Sequence, residues 1–372
     1  MNKIKVLHYI WSANFGGIEK LVIDLTKAQQ GNSECESSIL IGCHKGTFIE
    51  KLTEEKVRHC FAFMKHGFDI RPLTVKNVSN AVRNVDIVHI HTYNPLIFLI
   101  ALRYKKKIIY TVHGNFNFGR KVTFSDKLIH LQRKFFLNNF TDFISFNSIF
   151  TQNKAYAKYG LKSVKNKVVY NGIFLNLNEF VPPVENEMLL NQLKDKFVVG
   201  TSSRFAGFKR IDRLIEAFAR FSENKKDVAL LLVGDGPLLS DLKSQASKLN
   251  ILDSVIFAGY QPNVRSFQNL MTICVFPSEN EPFGLVAVET LSLGKPTLLF
   301  KDGGGMTEIF TESLKSDIVD NISEMTSRIE SYYQLYHSKQ LLQIEVRQKA
   351  ASRFDIHTME KHFFEIYKSI LA

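Results

Sequence analysis

Short runs rich in β-branched and aromatic residues recur along the chain, with stretches of helical periodicity between them. In the first half they are Ile4–Ile10, Ser38–Cys43, Cys60–Phe63, Asp86–His91, Ile108–Val112, Asp142–Phe146 and Lys167–Tyr170. In the second they are Phe197–Ser202, Val228–Val233, Val255–Phe257, Ile273–Phe276 and Pro296–Phe300. Strands that alternate with helices of about ten or more residues pair in parallel, because each return to the same sheet edge needs a crossover. The expected class is therefore α/β with doubly wound parallel sheets. At 372 residues the chain is long enough for two domains, each with its own core. Asn171–Gly172, the pair Pro182–Pro183 and the polar stretch to Asp195 interrupt both periodicities and mark the boundary. The division expected is 1–175, 176–354 and a terminal segment 355–372. In that segment Met359, Phe363, Phe364, Ile366, Tyr367 and Ile370 recur at helical spacing and predict a helix packed back on the N-terminal domain.

Hydrophobic residues make up 45% and charged residues 23%, proportions of a globular chain that exclude a disordered or rod-like one. The longest apolar run, Leu96–Leu102, is far short of the roughly 20 residues of a membrane-spanning helix. The apolar stretch after Lys3 and Lys5 reads as a first strand rather than a signal peptide, so the expectation is a cytoplasmic protein starting at Met1. Cys35, Cys43, Cys60 and Cys274 form no CxxC pair and have only His44 nearby in sequence. They predict reduced, mostly buried thiols and no metal site.

The net charge of +12 is concentrated. Between Ala101 and Tyr170 there are 14 Lys and Arg against Asp126 and Asp142 alone, an excess as large as that of the whole chain. Such a field suits a polyanion: nucleic acid, an anionic membrane surface or a phosphorylated substrate. No zinc finger or RNP signature supports nucleic acid, which is not expected as a partner. Within Phe116–Phe140, Phe118, Phe124, Leu128, Ile129, Leu131, Phe135, Phe136 and Leu137 interleave with the basic residues. That pattern fits either a helix lying on a headgroup layer or a core-packed helix with a solvated basic face.

In Rossmann-like domains ligands bind beyond the carboxyl ends of the strands, so chemistry is sought in the loops there. After the first strand, Gly16-Gly17 precedes a helix running to about Gln30; the glycines admit a close ligand and the helix start offers N–H groups to an anion. This is not GxGxxG, which argues against a nicotinamide enzyme. His113, in Thr111-Val112-His113-Gly114, stands at a strand end, as does His91, which shares a face with His89. In the second half, Arg204 and Lys209 flank a glycine-containing loop and can clamp a diphosphate. Gly234-Asp235-Gly236-Pro237 makes a tight turn with Pro in the first helical turn. Glu281 and Glu289 lie on either side of a helix start near Phe283 or Gly284, where carboxylates accept from hydroxyls and N–H groups donate to phosphate. Lys301–Glu308, with Gly303-Gly304-Gly305, forms a further loop.

These motifs, in this order over nearly the whole chain, resemble those of the GT-B glycosyltransferases of family 4, as found in bacterial surface-polysaccharide assembly. The resemblance implies two Rossmann-like domains facing across a cleft. It implies Arg204 and Lys209 on the donor diphosphate, Glu281 on the donor sugar, Glu289 on the ribose, and His113 beside the reacting sugar. Gly16, Gly17, Gly234, Phe283, Gly284 and Leu285 would complete the donor site, and His91 and Asn115 would meet the acceptor. It further implies a retaining, metal-independent hexosyltransferase without cofactor, with a nucleotide-sugar, most commonly a UDP-sugar, as co-substrate. The sequence contains no Asp-x-Asp pair, in keeping with that. Ser203 and Arg210 stand where the family commonly has glycine. With the basic segment, the expected partners are a saccharide acceptor carried on a lipid and an anionic membrane surface, the enzyme being peripheral on the inner face of the plasma membrane. The alternatives are a soluble glycosyltransferase acting on a small molecule or protein, and a non-catalytic sugar-nucleotide-binding module.

Overall fold

A computed structural model describes residues 3–12, 16–46, 49–114, 123–162, 164–175, 181–340 and 343–372. It divides into two compact units, 1–174 with 354–372, and 175–353. In the first, β1 (Ile4–Ile10), β2 (Cys35–Ile41), β3 (His59–Phe61), β4 (Ile87–Ile90), β5 (Lys107–Val112), β6 (Phe143–Phe146) and β7 (Asn166–Val168) form a sheet of order β3-β2-β1-β4-β5-β6-β7. In the second, β8 (Phe197–Ser202), β9 (Val228–Val233), β10 (Val255–Gly259), β11 (Ile273–Phe276), β12 (Thr297–Phe300) and β13 (Ile318–Val319) form a sheet of order β10-β9-β8-β11-β12-β13. Every strand pair is parallel, and both sheets begin with the 3-2-1-4-5-6 order of a doubly wound fold.

The strands β8, β9 and β11 are buried at every position, as continuous apolar runs covered on both faces must be. β2 begins earlier than its apolar run suggested, because Ile4 already pairs with Cys35 and the register continues to Ile10 with Ile41. β13 has two residues at a sheet edge, too few to show any periodicity. Helix starts follow side-chain caps: Asn94 accepts from the Leu96 amide, Ser148 from that of Thr151, and Thr123 and Asp126 form a reciprocal capping box.

The terminal helix Ile356–Leu371 belongs to the first unit. Ile173 and Asp355 form a parallel bridge, and the Ile356 amide donates to the Ile173 carbonyl at 2.8 Å. The helix then packs along Gly17–Gln30, with Asn32 donating to Glu360 at 2.9 Å and Phe363 fully buried against the His89 ring.

Two local expectations are corrected. Pro237 lies in the turn before Leu239–Lys248, not in its first helical turn, since Leu238 is the capping residue. Of the four thiols only Cys35 and Cys274 are buried; Cys60, on edge strand β3, is exposed and Cys43 half-buried. All four are free.

Phe363→Ala is expected to destabilise the first unit by about 3 kcal/mol, the cost of an unfilled aromatic cavity. Phe124→Ala, at a position 84% exposed, leaves stability unchanged. Urea unfolding of the two variants checks this, and equal midpoints would contradict it.

Candidate active site

Where the strand order reverses, the loops after the two central strands run in opposite directions and leave a crevice at the carboxyl edge. In the second unit those strands are β8 and β11, and the loops after them carry Arg204 with Lys209 and Glu281 respectively. Three loops are stitched together here. The Glu279 amide donates to the Phe208 carbonyl, that of Asn280 to Asp302, and that of Gly305 to Glu281, each at 2.8 Å.

Ion pairs fasten the same loops. Arg210 takes a left-handed conformation (φ +46°) at the start of Ile211–Phe221, which accounts for the glycine common there, and its guanidinium binds Asp212 and Glu279. Arg213 bridges Glu279 and Asp302. Arg213 did not stand out in the sequence, because its partners lie 66 and 89 residues away, and Arg210 did so only as a departure from glycine. Ser203 is accommodated without a positive φ. Gly234 packs against it so closely that a Cβ would overlap the Ser203 carbonyl oxygen.

Within this frame Lys209 Nζ meets Glu281 Oε2 at 2.7 Å, with both side chains only 13% and 12% exposed. Arg204 is exposed and enters no ion pair among the described residues. The helix Leu285–Ser292 starts at Gly284, whose φ of +85° and contact with Met306 exclude a larger residue. Its first-turn N–H groups lack intrahelical acceptors. Glu289, one turn in, accepts from Gln268 Nε2 at 3.4 Å, and the same nitrogen donates to Ser202 at 2.9 Å. The unit thus assembles two cations, two carboxylates and a helix start at one sheet edge, a set able to bind both phosphate and hydroxyl oxygens.

In the first unit the reversal lies between β1 and β4, followed by Gly16-Gly17 and His91. Gly17 begins its helix with open space around the position of a Cβ, so no packing within the described residues demands glycine there. Along the same edge, His113 after β5, Asn147 after β6 and Asn171 beyond β7 are all buried. His113 Nδ1, Asn147 Oδ1 and Asn171 Oδ1 have no hydrogen-bond partner among the described residues. Three unpaired buried polar atoms at a ligand-binding edge call for polar ligand groups. Asn147 was not singled out from sequence; its position directly after a strand was the available signal. Asn115, Phe116 and Phe118 lie outside the described residues.

His91, also expected to meet the acceptor, lies directly after β4. It is 4% exposed, and its two ring nitrogens bond His8 at 2.9 Å and His113 at 3.0 Å. His8, His89 and His91 come close enough to suggest a metal centre. Yet His8 is also bonded to Gln29, and His89 to Tyr367 and Thr111, so all six ring nitrogens already serve neighbours. These residues fit a hydrogen-bond network better than a metal.

The basic helix Phe124–Asn139 resolves the two readings of its face. Only Phe136 and Leu137 enter the core, while Phe124, Leu128, Leu131 and Phe135 are 84%, 61%, 61% and 56% exposed. Their spacing places them on one stripe, beside exposed Lys127 and Lys134. Among the described residues no helix is long and apolar enough to cross a membrane.

Paired doubly wound sheets with these edge loops define the GT-B class of glycosyltransferase. The chain belongs to the glycosyltransferases: residues 15–177 match the model of Glycosyltransferase Family 4, and residues 187–334 that of Glycosyl transferases group 1. It is similar to N-acetyl-alpha-D-glucosaminyl L-malate synthase of Bacillus anthracis, with 34% identity over 31% of this chain and 32% of that protein. It is similar also to alpha-monoglucosyldiacylglycerol synthase of Streptococcus pneumoniae, with 27% identity over 64% of this chain and 57% of that protein. The chain therefore spans about a third and somewhat over half of these relatives. Among solved structures, Anabaena HepE in complex with UDP and glucose superposes with a TM-score of 0.79 at 22% identity, covering 98% of this chain and 100% of that one.

Burial holds His8 and His113 down to about 4, against a small opposing effect of Gln29 on His8. His89 and His91 are held well below the usual value, first by burial and then by neighbouring imidazoles, His8 and His113 for His89, and His89, His8 and His113 for His91. Their unfolded values lie near 6.5, so between about pH 6.5 and 4 the unfolded chain binds protons that the folded one does not. This stability is complete above pH 6.5 and is lost as pH falls, at up to about 1.4 kcal/mol per pH unit for each histidine. Thermal unfolding should therefore move steadily lower from pH 6.5 to 5, less steeply in His113→Asn. A flat profile would contradict the burial of four neutral imidazoles.

Proposed function

We propose that this glycosyltransferase moves a sugar from a nucleoside-diphosphate sugar, a UDP-sugar, to a saccharide acceptor carried on a lipid, with retention of anomeric configuration and without a metal. The observation that carries the reading is the convergence of Arg204, the Lys209–Glu281 pair and the Gly284 helix start at the reversal point of the second sheet. The UDP in the HepE complex supports the nucleotide, and the alpha-linked products in the names of both relatives support retention. The glycolipid-forming relative and the exposed apolar stripe on Phe124–Asn139, flanked by Lys127 and Lys134, support a lipid acceptor at an anionic membrane surface in cell-surface polysaccharide synthesis.

In this reading Arg204 and Lys209 hold the donor diphosphate. One of the three Lys209 donors is engaged by Glu281, and the others serve phosphate oxygens. Glu281 accepts from donor-sugar hydroxyls and Glu289 from the ribose, and the Phe283, Gly284 and Leu285 backbone lies along the sugar and phosphate. Gly234 shapes the loop beneath the nucleotide, and Gly16 and Gly17 leave the helix start of the first unit open to an anionic group. His113 lies beside the reacting sugar, and His91 acts through His113.

The bond from the anomeric carbon to the diphosphate oxygen breaks, and the acceptor hydroxyl forms the new bond on the same face. The hydroxyl proton passes to the departing phosphate oxygen, so no protein nucleophile is needed. Negative charge grows on the phosphate as the bond breaks, and fixed cations stabilise that charge more than they stabilise the intact donor.

Arg204→Ala is expected to lower turnover with UDP-sugars by about 100-fold while leaving thermal stability unchanged, since Arg204 is exposed. Lys209→Ala should lose both, because the largely buried Glu281 carboxylate is left unpaired. Full activity in the double variant, assayed by UDP release, would overturn the reading. Turnover should also persist in EDTA.

The membrane arm is tested by flotation. The chain should rise with vesicles containing anionic lipid and not with neutral ones, and replacing Phe124, Leu128, Leu131 and Phe135 with Ser should abolish this. Equal binding to both vesicle types would refute recognition of an anionic surface, and binding to neither would refute a lipid-surface role.

A further inference from the structure

Eight polar side chains of the first unit, each at most 9% exposed, form one unbroken hydrogen-bond chain. From one end, Ser145 bonds Thr111, Thr111 bonds His89 Nε2 at 2.6 Å, and His89 Nδ1 bonds the Tyr367 hydroxyl at 3.0 Å. That hydroxyl accepts from Gln29 Nε2 at 3.1 Å, and Gln29 Oε1 faces His8 Nε2 at 2.7 Å. His8 Nδ1 then bonds His91 Nε2 at 2.9 Å, and His91 Nδ1 bonds His113 Nε2 at 3.0 Å. Only the last atom, His113 Nδ1, is buried without a partner among the described residues.

A neutral imidazole has one donor and one acceptor nitrogen, so imidazoles linked ring to ring must all point the same way. The Gln29 amide sets the direction: its oxygen is placed toward His8 and its nitrogen toward Tyr367, and the opposite placement would reverse every link. His8 must then donate from Nε2 and accept at Nδ1 from His91 Nε2–H, and His91 must accept at Nδ1 from His113 Nε2–H. On the other arm Tyr367 donates to His89 Nδ1, His89 Nε2–H donates to Thr111, and Thr111 donates to Ser145. Every link is satisfied with all the rings neutral, and His113 Nδ1 is left as a bare lone pair.

We propose that this chain fixes the tautomer of His113, so that Nδ1 is presented at the sheet edge as an acceptor for a hydroxyl of the saccharide substrate. Gln29, His8, His91 and Tyr367 are its positioning residues. The inference rests on the proposed role of His113 beside the reacting sugar, and adds that the terminal helix, through Tyr367, governs that role along a line of hydrogen bonds. A hydroxyl donates to the lone pair without protonating the ring. The opposite tautomer would turn an N–H toward the ligand and demand an acceptor instead.

The full chain, labelled with 15N in its imidazole rings, is examined by NMR at pH 7.5 as wild type, Tyr367→Phe and Gln29→Leu. Tyr367→Phe keeps the packing if Gln29→Leu does not fold. Wild-type His113 should show a protonated Nε2 and a bare Nδ1. Both variants should show averaged His113 nitrogens, as the direction is released, and a loss of about tenfold in kcat with KM for the UDP-sugar within twofold. A wild-type His113 protonated at Nδ1, or an unaltered His113 spectrum in Tyr367→Phe, overturns the inference. So does an altered spectrum with unaltered kcat. The spectra are read on ligand-free protein, so failure of the tautomer assignment is separable from failure of the glycosyl-transfer reading, which absent UDP release by the wild type would show.

Discussion

Parallel pairing on both sides of a first strand is the constraint from which the rest follows. With β1 between β2 and β4, and β8 between β9 and β11, the loops leaving the carboxyl ends must diverge. The backbone between them is then free to meet a ligand instead of its own sheet. The Lys209–Glu281 pair, the Gly284 helix start and His113 all stand at such ends, and the residues around them act mainly to hold the loops in register. Arg210 and Arg213, tied to Asp212, Glu279 and Asp302, do this in the second unit and need not touch a ligand.

The first unit reaches the same end by burying polarity. Four buried histidines are joined to Gln29 of the helix Gly17–Gln30 and Tyr367 of the helix Ile356–Leu371, where apolar side chains would pack more simply. Each is tolerated because it is neutral and its polar atoms, His113 Nδ1 apart, are bonded, and a broken link would leave a desolvated group unpaired. This makes the terminal helix part of the site's construction. Gln29 and Tyr367 are 338 residues apart in sequence, yet their bond joins the two arms of the network.

Much of the architecture was legible. β1, β8, β9 and β11 are read to the residue, because a strand buried on both faces leaves a continuous apolar run bounded by polar loops. The helix at Gly17 and the carboxylates around Gly284 follow from glycine placement. What stayed hidden depends on pairing between distant segments. His8 is an unremarked residue of a first strand until register sets it opposite His89. The exposure of Phe124, Leu128, Leu131 and Phe135 could not be told from core packing, since periodicity reports that a stripe exists and not what covers it. Arg210 illustrates a third case, in which a charged residue takes a left-handed backbone because two carboxylates anchor its side chain.

The central claim is that the second unit holds a nucleoside diphosphate through Arg204 and its neighbours, and ligand-induced thermal stabilisation tests it most directly. A ligand that binds only the folded state raises its melting temperature by mass action. Unfolding would be followed with UDP, GDP, ADP and CMP, in wild type and in Arg204→Ala. The account predicts an upward shift with UDP that disappears in the variant. No shift with any of the four nucleotides, or a UDP shift of equal size in Arg204→Ala, would contradict it.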